Sequence, residues 1–465
     1  MAVDELHKAW AKLDQLERQE RYLVERLSHI HKEIDAQKLE IDDLIKARPP
    51  AVNRLPTELL SQIFTLCIPD PKFPEKPLHQ IVGVSRRWRD IVWNNPSFWT
   101  SIKVTPDQGE KGLKKQLERS HKTLLDIWFD DWHYYPIHVA HDKLYPLLDA
   151  IVPHANRWRS LIISNSMDPD LVESILTKIS HLSVPFLREF TMDIWDNFED
   201  LPYPDFLLPT RAPALQHLTL KSPFQLDNFV APPTLKTLHM AFPETDNSYP
   251  VISMLTPVQS LTSLELDGES TGWPLKRNDL HFPLLEELTL RLSSSMPFLE
   301  AIVAPKLRYA WCQFSGSMEF NTIEGKFGDV YDLTLLFFDE VDDQSAESLC
   351  RAFPGVRQLH LSVDETSFFM AGIDEPGVLE RRPPIDQWLN LETVTFIGLN
   401  CEWLIHWELD DDPIVKWLRG RQESGLSRLR VRLHHFRADE TRLLPSTYCA
   451  LLERYCDLEI FISPT

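Results

Sequence analysis

The chain of 465 residues is poor in glycine and cysteine, with 14 and six residues of these types. Few glycines argue against a loop that binds phosphate through backbone amides, and the motifs GxxxxGK[ST], GxSxG and HExxH and a GxGxxG after a strand are all missing. The cysteines form no CxxC pair and no regular spacing, which argues against a zinc module and a disulfide framework. We therefore expect no enzyme, no catalytic residue, no cofactor and no metal.

A basic charge balance is also missing, since the formal net charge is −21. An acidic surface repels phosphate, so nucleic acid is not an expected ligand. No segment approaches the roughly eighteen consecutive apolar residues of a membrane span. The first residues are acidic and precede no apolar run, so they do not resemble a secretory signal. The sequence predicts a cytoplasmic or nuclear protein without membrane contact.

Two polar clusters could suggest a metal site. His133, His138 and His141 lie near two aspartates, but their spacing matches no standard set of ligands. The acidic run at 410–412 is expected to be exposed surface. Neither cluster is assigned a function.

Residues 1–48 contain no glycine or proline and carry apolar residues at heptad spacing. One row of the seam is Leu6, Leu13, Glu20, Leu27, Ile34 and Ile41, and the other is Ala9, Leu16, Leu23, Ile30, Gln37 and Leu44. Ten apolar residues at twelve seam positions predict one long helix with a coiled-coil seam over six heptads. This seam either pairs with a second copy, giving a homodimer, or folds back on the protein's own surface, which Glu20 and Gln37 make possible.

Two short amphipathic helices are predicted next. The first carries Leu59, Leu60, Ile63, Phe64 and Cys67 on one side, after a proline suited to a first helical turn. The second carries Ile81, Val84, Trp88, Ile91 and Val92 on one stripe. A unit of about fifty residues is too small to bury both apolar faces alone, so a partner is implied.

The segments LPTELLSQIF at 55–64, VSRRWRDI at 84–91 and PSFW at 96–99 resemble the F-box. F-boxes dock on the Skp-type adaptor of cullin ligases for ubiquitin, so the resemblance implies these partners and leaves the ubiquitin chemistry to other subunits. It implies adaptor contacts by Leu55, Pro56, Leu59, Leu60, Ile63, Phe64, Val84 and Trp88. The chain departs from the family in having Ser85 where cysteine is frequent, and in a longer, proline-rich link at 68–79.

The pattern LxxLxL recurs at 215–220, 235–240, 261–266 and 285–290, with methionine once in the last place. Weaker copies lie at 158–163, 187–192, 307–312, 356–361, 391–396 and 426–431. Spacings of 20 to 26 residues between the clear copies are typical of leucine-rich repeats, in which each unit covers its neighbour's core. Proline often precedes a copy, and 35 prolines predict stiff, irregular connections rather than regular helices.

The predicted fold is therefore α followed by α/β: a coiled-coil helix at 1–48, a small helical F-box at 50–103 and an irregular leucine-rich-repeat solenoid at 104–465. This combination, and the segment 147–161, resemble large F-box families of mushroom-forming fungi. The resemblance implies the substrate-recognition subunit of a Skp-cullin-F-box ubiquitin ligase. The alternative is a non-catalytic interaction scaffold that acts outside a ligase.

Alternate strand residues of the repeats should project from one face, which repeat proteins commonly use for recognition. The residues expected there, as contacts to an unknown protein target, are His217, Thr219, Thr237, His239, Ser263, Glu265, Glu287, Thr289, Gln358 and His360. Their hydroxyl, imidazole and acidic groups suit a polar or basic peptide-like surface. A proline-rich loop such as 372–384 is the alternative location.

Overall fold

The computed structural model describes residues 2–47, 51–67, 75–164, 167–194, 201–202, 204–221, 224–225, 231–242, 251–270, 272–314, 319–337, 343–362, 369–370, 382–399, 412–435 and 444–462. Most of the loop 372–384, and the first two residues of the acidic run 410–412, lie outside these ranges. Internal contacts divide the chain into two compact units, the first ending at Asn94 and the second beginning at Asn95.

The first unit begins with the predicted long helix, α1, which spans Ala2–Ala47 without interruption. Its nine leucine and isoleucine seam residues are 44–61 % exposed. The helix is therefore confirmed. Its pairing with another surface stays a prediction.

Three short helices follow α1 among the described residues of the first unit, and they include the two that the sequence predicts. They are α2 at Thr57–Leu66, α3 at Glu75–Val84 and α4 at Arg86–Asn94, after a 3-10 turn at Ala51–Arg54. The second predicted stripe is divided between α3 and α4, because the chain turns at Ser85.

Within the described ranges, the second unit is built on a sheet of fourteen parallel strands in chain order, which confirms the solenoid. Its strands are β1 Ser101–Val104, β2 Leu125–Phe129, β3 Trp158–Ile163, β4 Glu189–Met192, β6 His217–Leu220, β8 Thr237–Phe242, β9 Ser263–Gly268, β11 Glu287–Leu292, β13 Tyr309–Phe314, β14 Asp332–Phe337, β15 Gln358–Ser362, β16 Thr393–Ile397, β17 Arg430–His435 and β18 Asp457–Ile462. Two small parallel pairs join β5 Leu201–Pro202 to β7 Phe224–Gln225 and β10 Leu280–His281 to β12 Ile302–Val303. The last residues of the segment predicted as the F-box thus form the first strand of the sheet.

Helices fill many of the connections, which corrects the prediction that regular helices would be absent. They are α5 Glu110–Arg119, α6 Ile137–Ile151, α7 Pro169–Ile179, α8 Val251–Leu255, α9 Met296–Ala301, α10 Asp343–Ala352, α11 Pro413–Glu423 and α12 Ser446–Leu452. Short 3-10 helices lie at Pro96–Trp99, Val152–Arg157, Asp205–Leu207, Phe320–Ile323 and Pro384–Gln387. The longer helices bury one apolar stripe on the sheet, and this packing outweighs the low helix preference of a proline-rich sequence.

The prolines before the repeats have a specific place in the fold. Pro213, Pro233, Pro283 and Pro305 each occupy the second position of a tight turn. In each turn the amide of the first repeat leucine donates to the carbonyl three residues earlier, at 3.1–3.3 Å. Because proline fixes the backbone angle that this position needs, the turn delivers the leucine to the core and starts the strand.

The core of the second unit is one continuous cluster of buried apolar residues. Along β8 and β9 buried and partly exposed residues alternate, as the repeat predicts, with the leucines inward. One expectation is wrong: Asp412 is fully buried rather than exposed, because it caps the N-terminus of α11. Among the described residues, no helix has the length and apolar character needed to cross a bilayer.

Candidate functional site

The surface of α2 carries two adjacent apolar stripes with different environments. Leu60 and Phe64 are buried, at 0 % and 1 % exposure, and the ring of Phe64 lies 4.7 Å from that of Trp88 on α4. Leu59 and Ile63, one position earlier on the helix, stay 45 % and 40 % exposed. One stripe therefore holds the helices together, and the other is left on the surface.

The turn before α2 is tied to α4. Arg87 donates from its guanidinium to the backbone carbonyl of Leu55 at 2.6 Å. The Leu55 side chain is half-buried, and Pro56 is exposed. Ser85 accepts a hydrogen bond from the Trp88 amide at 3.2 Å and so caps α4. The serine that departs from the F-box pattern thus has a structural role that a cysteine would fill poorly.

The eight residues expected to contact an adaptor therefore fall into three groups. Pro56, Leu59, Ile63 and Val84 are exposed, and Val84 is 61 % exposed at the end of α3. Leu55 and Trp88 are partly buried, whereas the buried pair on α2 packs inside the unit. Leu66, which the sequence analysis did not select, extends the exposed stripe of α2 and is 83 % exposed.

The second candidate surface is the exposed face of the long sheet, which we call the strand face. Its residues line up in two rows across the strands. One row is His217, Thr237, Ser263, Glu287, Tyr309, Asp332 and Gln358, and the other is Thr219, His239, Glu265, Thr289, Trp311, Thr334 and His360. All ten residues predicted for target contact lie in these rows.

Four members of these rows were missed by sequence reasoning. Tyr309, Trp311, Asp332 and Thr334 lie on the two strands between Glu287 and Gln358. The weak repeat at 307–312 already placed Tyr309 and Trp311 at the same repeat positions as Glu287 and Thr289. Extending the alternation to this copy could have found both aromatic residues.

Charges on the strand face are mostly paired across strands. His239 places its two ring nitrogens 3.2 Å from a Glu265 oxygen and 2.5 Å from an Asp267 oxygen. Arg291 donates to both carboxylates and lies 4.9 Å from the centre of the Trp311 ring. This network is held within the protein, so Glu265 is less available to a partner than its position suggests.

The same network contains the one group of three metal-ligand residues among the described residues. Ligand atoms of His239, Glu265 and Asp267 all lie within 4.8 Å of one another. Burial would raise the pKa of Asp267, but hydrogen bonds and charge from His239 and Arg291 outweigh it and hold that pKa below its usual range. Because Arg291 already donates to both carboxylates, we do not assign a metal site here.

Glu287 differs from the other acidic residues of the rows. It is exposed, and no ion pair or hydrogen bond of its side chain occurs within the described ranges. Tyr309 is its direct neighbour across the strands and is 40 % exposed, and the ring of Tyr331 lies 5.1 Å from the ring of Tyr309. A carboxylate beside two aromatic rings suits a cationic side chain, through charge pairing and cation–π contact.

Comparison with known families bears on the helical unit. A family model described as F-box-like matches residues 52–105, which include α2, α3, α4 and the first strand of the sheet. No curated protein matches this chain. The chain thus carries an F-box-like domain at 52–105, followed by a parallel-stranded solenoid of the leucine-rich-repeat type.

Proposed function

We propose that this protein is the substrate-recognition subunit of a Skp-cullin-F-box ubiquitin ligase, acting in the cytoplasm or nucleus. The F-box-like domain would dock on the Skp-type adaptor, and the strand face would bind a target protein. The family match carries the proposal, and the exposed stripe of α2 supports it. A free apolar stripe on so small a unit has the character of an interface that is completed by a partner.

The mechanism is proximity, with no catalytic group supplied by this chain. Holding target and ligase on one molecule raises the effective concentration of target lysines near the activated ubiquitin. Linked binding of this kind accelerates transfer without any contact between this chain and the reacting atoms.

The adaptor role can be tested by replacing Leu55 and Pro56 with alanine in the full chain. Co-elution with a purified Skp-type adaptor in size-exclusion chromatography should be lost, because the exposed Pro56 and the half-buried Leu55 directly precede the exposed stripe of α2. Leu389→Ala is a matched control, since Leu389 is 79 % exposed but lies in the solenoid. Undiminished co-elution of the double variant would place the adaptor contact away from these two residues, whereas a wild type that does not co-elute would refute the ligase role and favour an interaction scaffold.

For the target, we propose a basic segment of a protein that binds at Glu287 and Tyr309. The Glu287 carboxylate, which has no ion pair with another described residue, and the adjoining rings support this position, whereas Glu265 is engaged by Arg291. Glu287→Lys reverses the charge without breaking an internal ion pair of the described residues.

The target site can be tested with partners recovered from cells and identified by mass spectrometry. Glu287→Lys should reduce recovery of specific partners while the adaptor is recovered normally. Glu173→Lys is the matched control, because Glu173 is exposed on α7 and not on the strand face. Equal recovery of partners by both variants would place the target contact elsewhere, with the loop 372–384 next to be deleted.

A further inference from the structure

The exposed seam of α1 has a symmetry that goes beyond the proposed adaptor role. Its two polar positions are Glu20 in the first row and Gln37 in the second. Two copies of α1 can be paired antiparallel so that residue i of one copy faces residue 57 − i of the other. Glu20 and Gln37 then lie at equal distances on either side of the centre of the pairing. In this pairing Glu20 faces Gln37 of the second copy twice, and the amide N–H of glutamine can donate to the carboxylate.

Every other layer of that pairing is apolar. Leu13 faces Leu44, Leu16 faces Ile41, Leu23 faces Ile34 and Leu27 faces Ile30, and each layer occurs twice by symmetry. A parallel, in-register pair would instead bring two Glu20 carboxylates together within the seam. Burying like charges in that way is costly, so the seam favours the antiparallel arrangement.

The positions that flank the seam agree with the same register. Glu17 comes beside Lys38 of the second copy, and Arg26 comes beside Glu33, again twice each. No two like charges meet at these flanking positions. Opposite charges at them set partner choice and orientation in coiled coils.

Neighbouring antiparallel registers are excluded by the same residues. A shift of one heptad in one direction places Glu20 against Ile30, and it places Arg26 of one copy beside Arg26 of the other. A shift of one heptad in the other direction places Glu20 against Leu44, and it places Glu33 of one copy beside Glu33 of the other. The sequence therefore matches itself about a two-fold axis in one register, a property that a different partner, or the protein's own surface, would not require.

We infer that α1 pairs with α1 of a second copy as an antiparallel coiled coil in which Glu20 faces Gln37. Its apolar seam residues from Leu13 to Leu44, 44–61 % exposed in the single chain, are covered by this pairing. With a rise of 1.5 Å per residue, the two C-terminal ends of α1 lie on the order of 55 Å apart. The dimer thus separates the two F-box-like domains along its rod instead of bringing them side by side.

Sedimentation of the full chain tests the pairing without reference to the adaptor. The wild type should be a dimer at micromolar concentration, and Leu27→Glu should be a monomer, because a charge at a central seam position cannot be desolvated cheaply. A wild type that stays monomeric would overturn the proposal and support folding back of α1. Co-elution with the adaptor should be unchanged in both chains, so the two proposals can fail separately.

Two double variants that differ at one residue test the orientation. Glu20→Lys with Gln37→Glu places opposite charges in both polar layers of the antiparallel register, so dimerisation should be at least as tight as in the wild type. Glu20→Lys with Gln37→Lys places lysine against lysine and should weaken dimerisation at least about tenfold relative to it. A parallel, in-register dimer would be lost in both variants, because residue 20 of one copy would face residue 20 of the other, and residue 37 would face residue 37. Like charges would then meet in both polar layers. Loss of the dimer in the first variant therefore overturns the antiparallel register.

Discussion

Ile63 and Phe64 are neighbours in sequence whose substitution should affect different properties of the molecule. Ile63 is 40 % exposed on the free stripe of α2, whereas Phe64 is 1 % exposed and packs on Trp88. Substituting the first should mainly affect adaptor binding, and substituting the second should mainly affect folding. Val84, which is 61 % exposed, belongs with Ile63.

The magnitudes follow from the area that each side chain has left to bury. Full burial of an aliphatic side chain is worth about 1.5–3 kcal/mol, so covering the exposed parts of Ile63 and Val84 contributes about 1 kcal/mol each. Replacing both by alanine should therefore weaken the adaptor complex by about 2 kcal/mol, or about 30-fold in Kd. Phe64→Ala removes a fully buried ring and should lower the free energy of unfolding by about 3–5 kcal/mol.

Two measurements on the full chain separate these effects. Isothermal titration with the purified adaptor gives Kd, and hydrogen exchange of α2 and α4 reports the stability of the first unit. The double variant should keep slow exchange in both helices and lose affinity, whereas Phe64→Ala should exchange fast in both. Full affinity of the double variant, or native exchange rates in Phe64→Ala, would refute the division of α2 into a docking stripe and a core stripe.

Much of the fold could be predicted because many of its helices and strands have a regular spacing of apolar residues within the segment itself. The heptads of 1–48 predict α1, and the four clear LxxLxL copies coincide with β6, β8, β9 and β11. The strands β1, β2, β14 and β18 of the long sheet were not predicted, although the segment 330–335 that leads into β14 has the same VxxLxL form as the predicted copy at 356–361. Neighbouring strands impose their conformation, since each repeat completes the core of the next.

The sites were harder to predict, because they depend on contacts between distant residues. Leu59 and Leu60 each have a partner four residues later, so spacing alone does not say which stripe is buried. The ion pair of Glu265 with Arg291 joins two neighbouring strands, and its partners are 26 residues apart in the sequence. This pair changes which acidic group is available to bind a target. The resemblance to fungal families likewise stays a prediction.

Three further predictions concern stability. Gly268 has a φ of +101°, and an added Cβ would lie 1.9 Å from a backbone carbonyl oxygen. Gly268→Ala should therefore lower the free energy of unfolding, measured with urea, by roughly 2–4 kcal/mol. Gly112→Ala is the control and should not destabilise, because Gly112 lies in α5 with open space around it. The lowered pKa of Asp267 gives stability that is fully present above the unfolded value of about 3.9 and is lost as the pH falls through the folded value. Wild type should therefore exceed Asp267→Asn in stability at pH 5, and the difference should shrink as the pH falls below about 4. Asp412 accepts from an amide of α11 at 3.0 Å and from the hydroxyl of Tyr448 at 3.1 Å, while fully buried. Asp412→Ala removes a helix cap and leaves that buried hydroxyl without this acceptor, so the free energy of unfolding should fall by about 2–4 kcal/mol, against about 1 kcal/mol for Tyr448→Phe. Equal losses in the two variants would show that the hydroxyl, and not the helix cap, accounts for the whole effect.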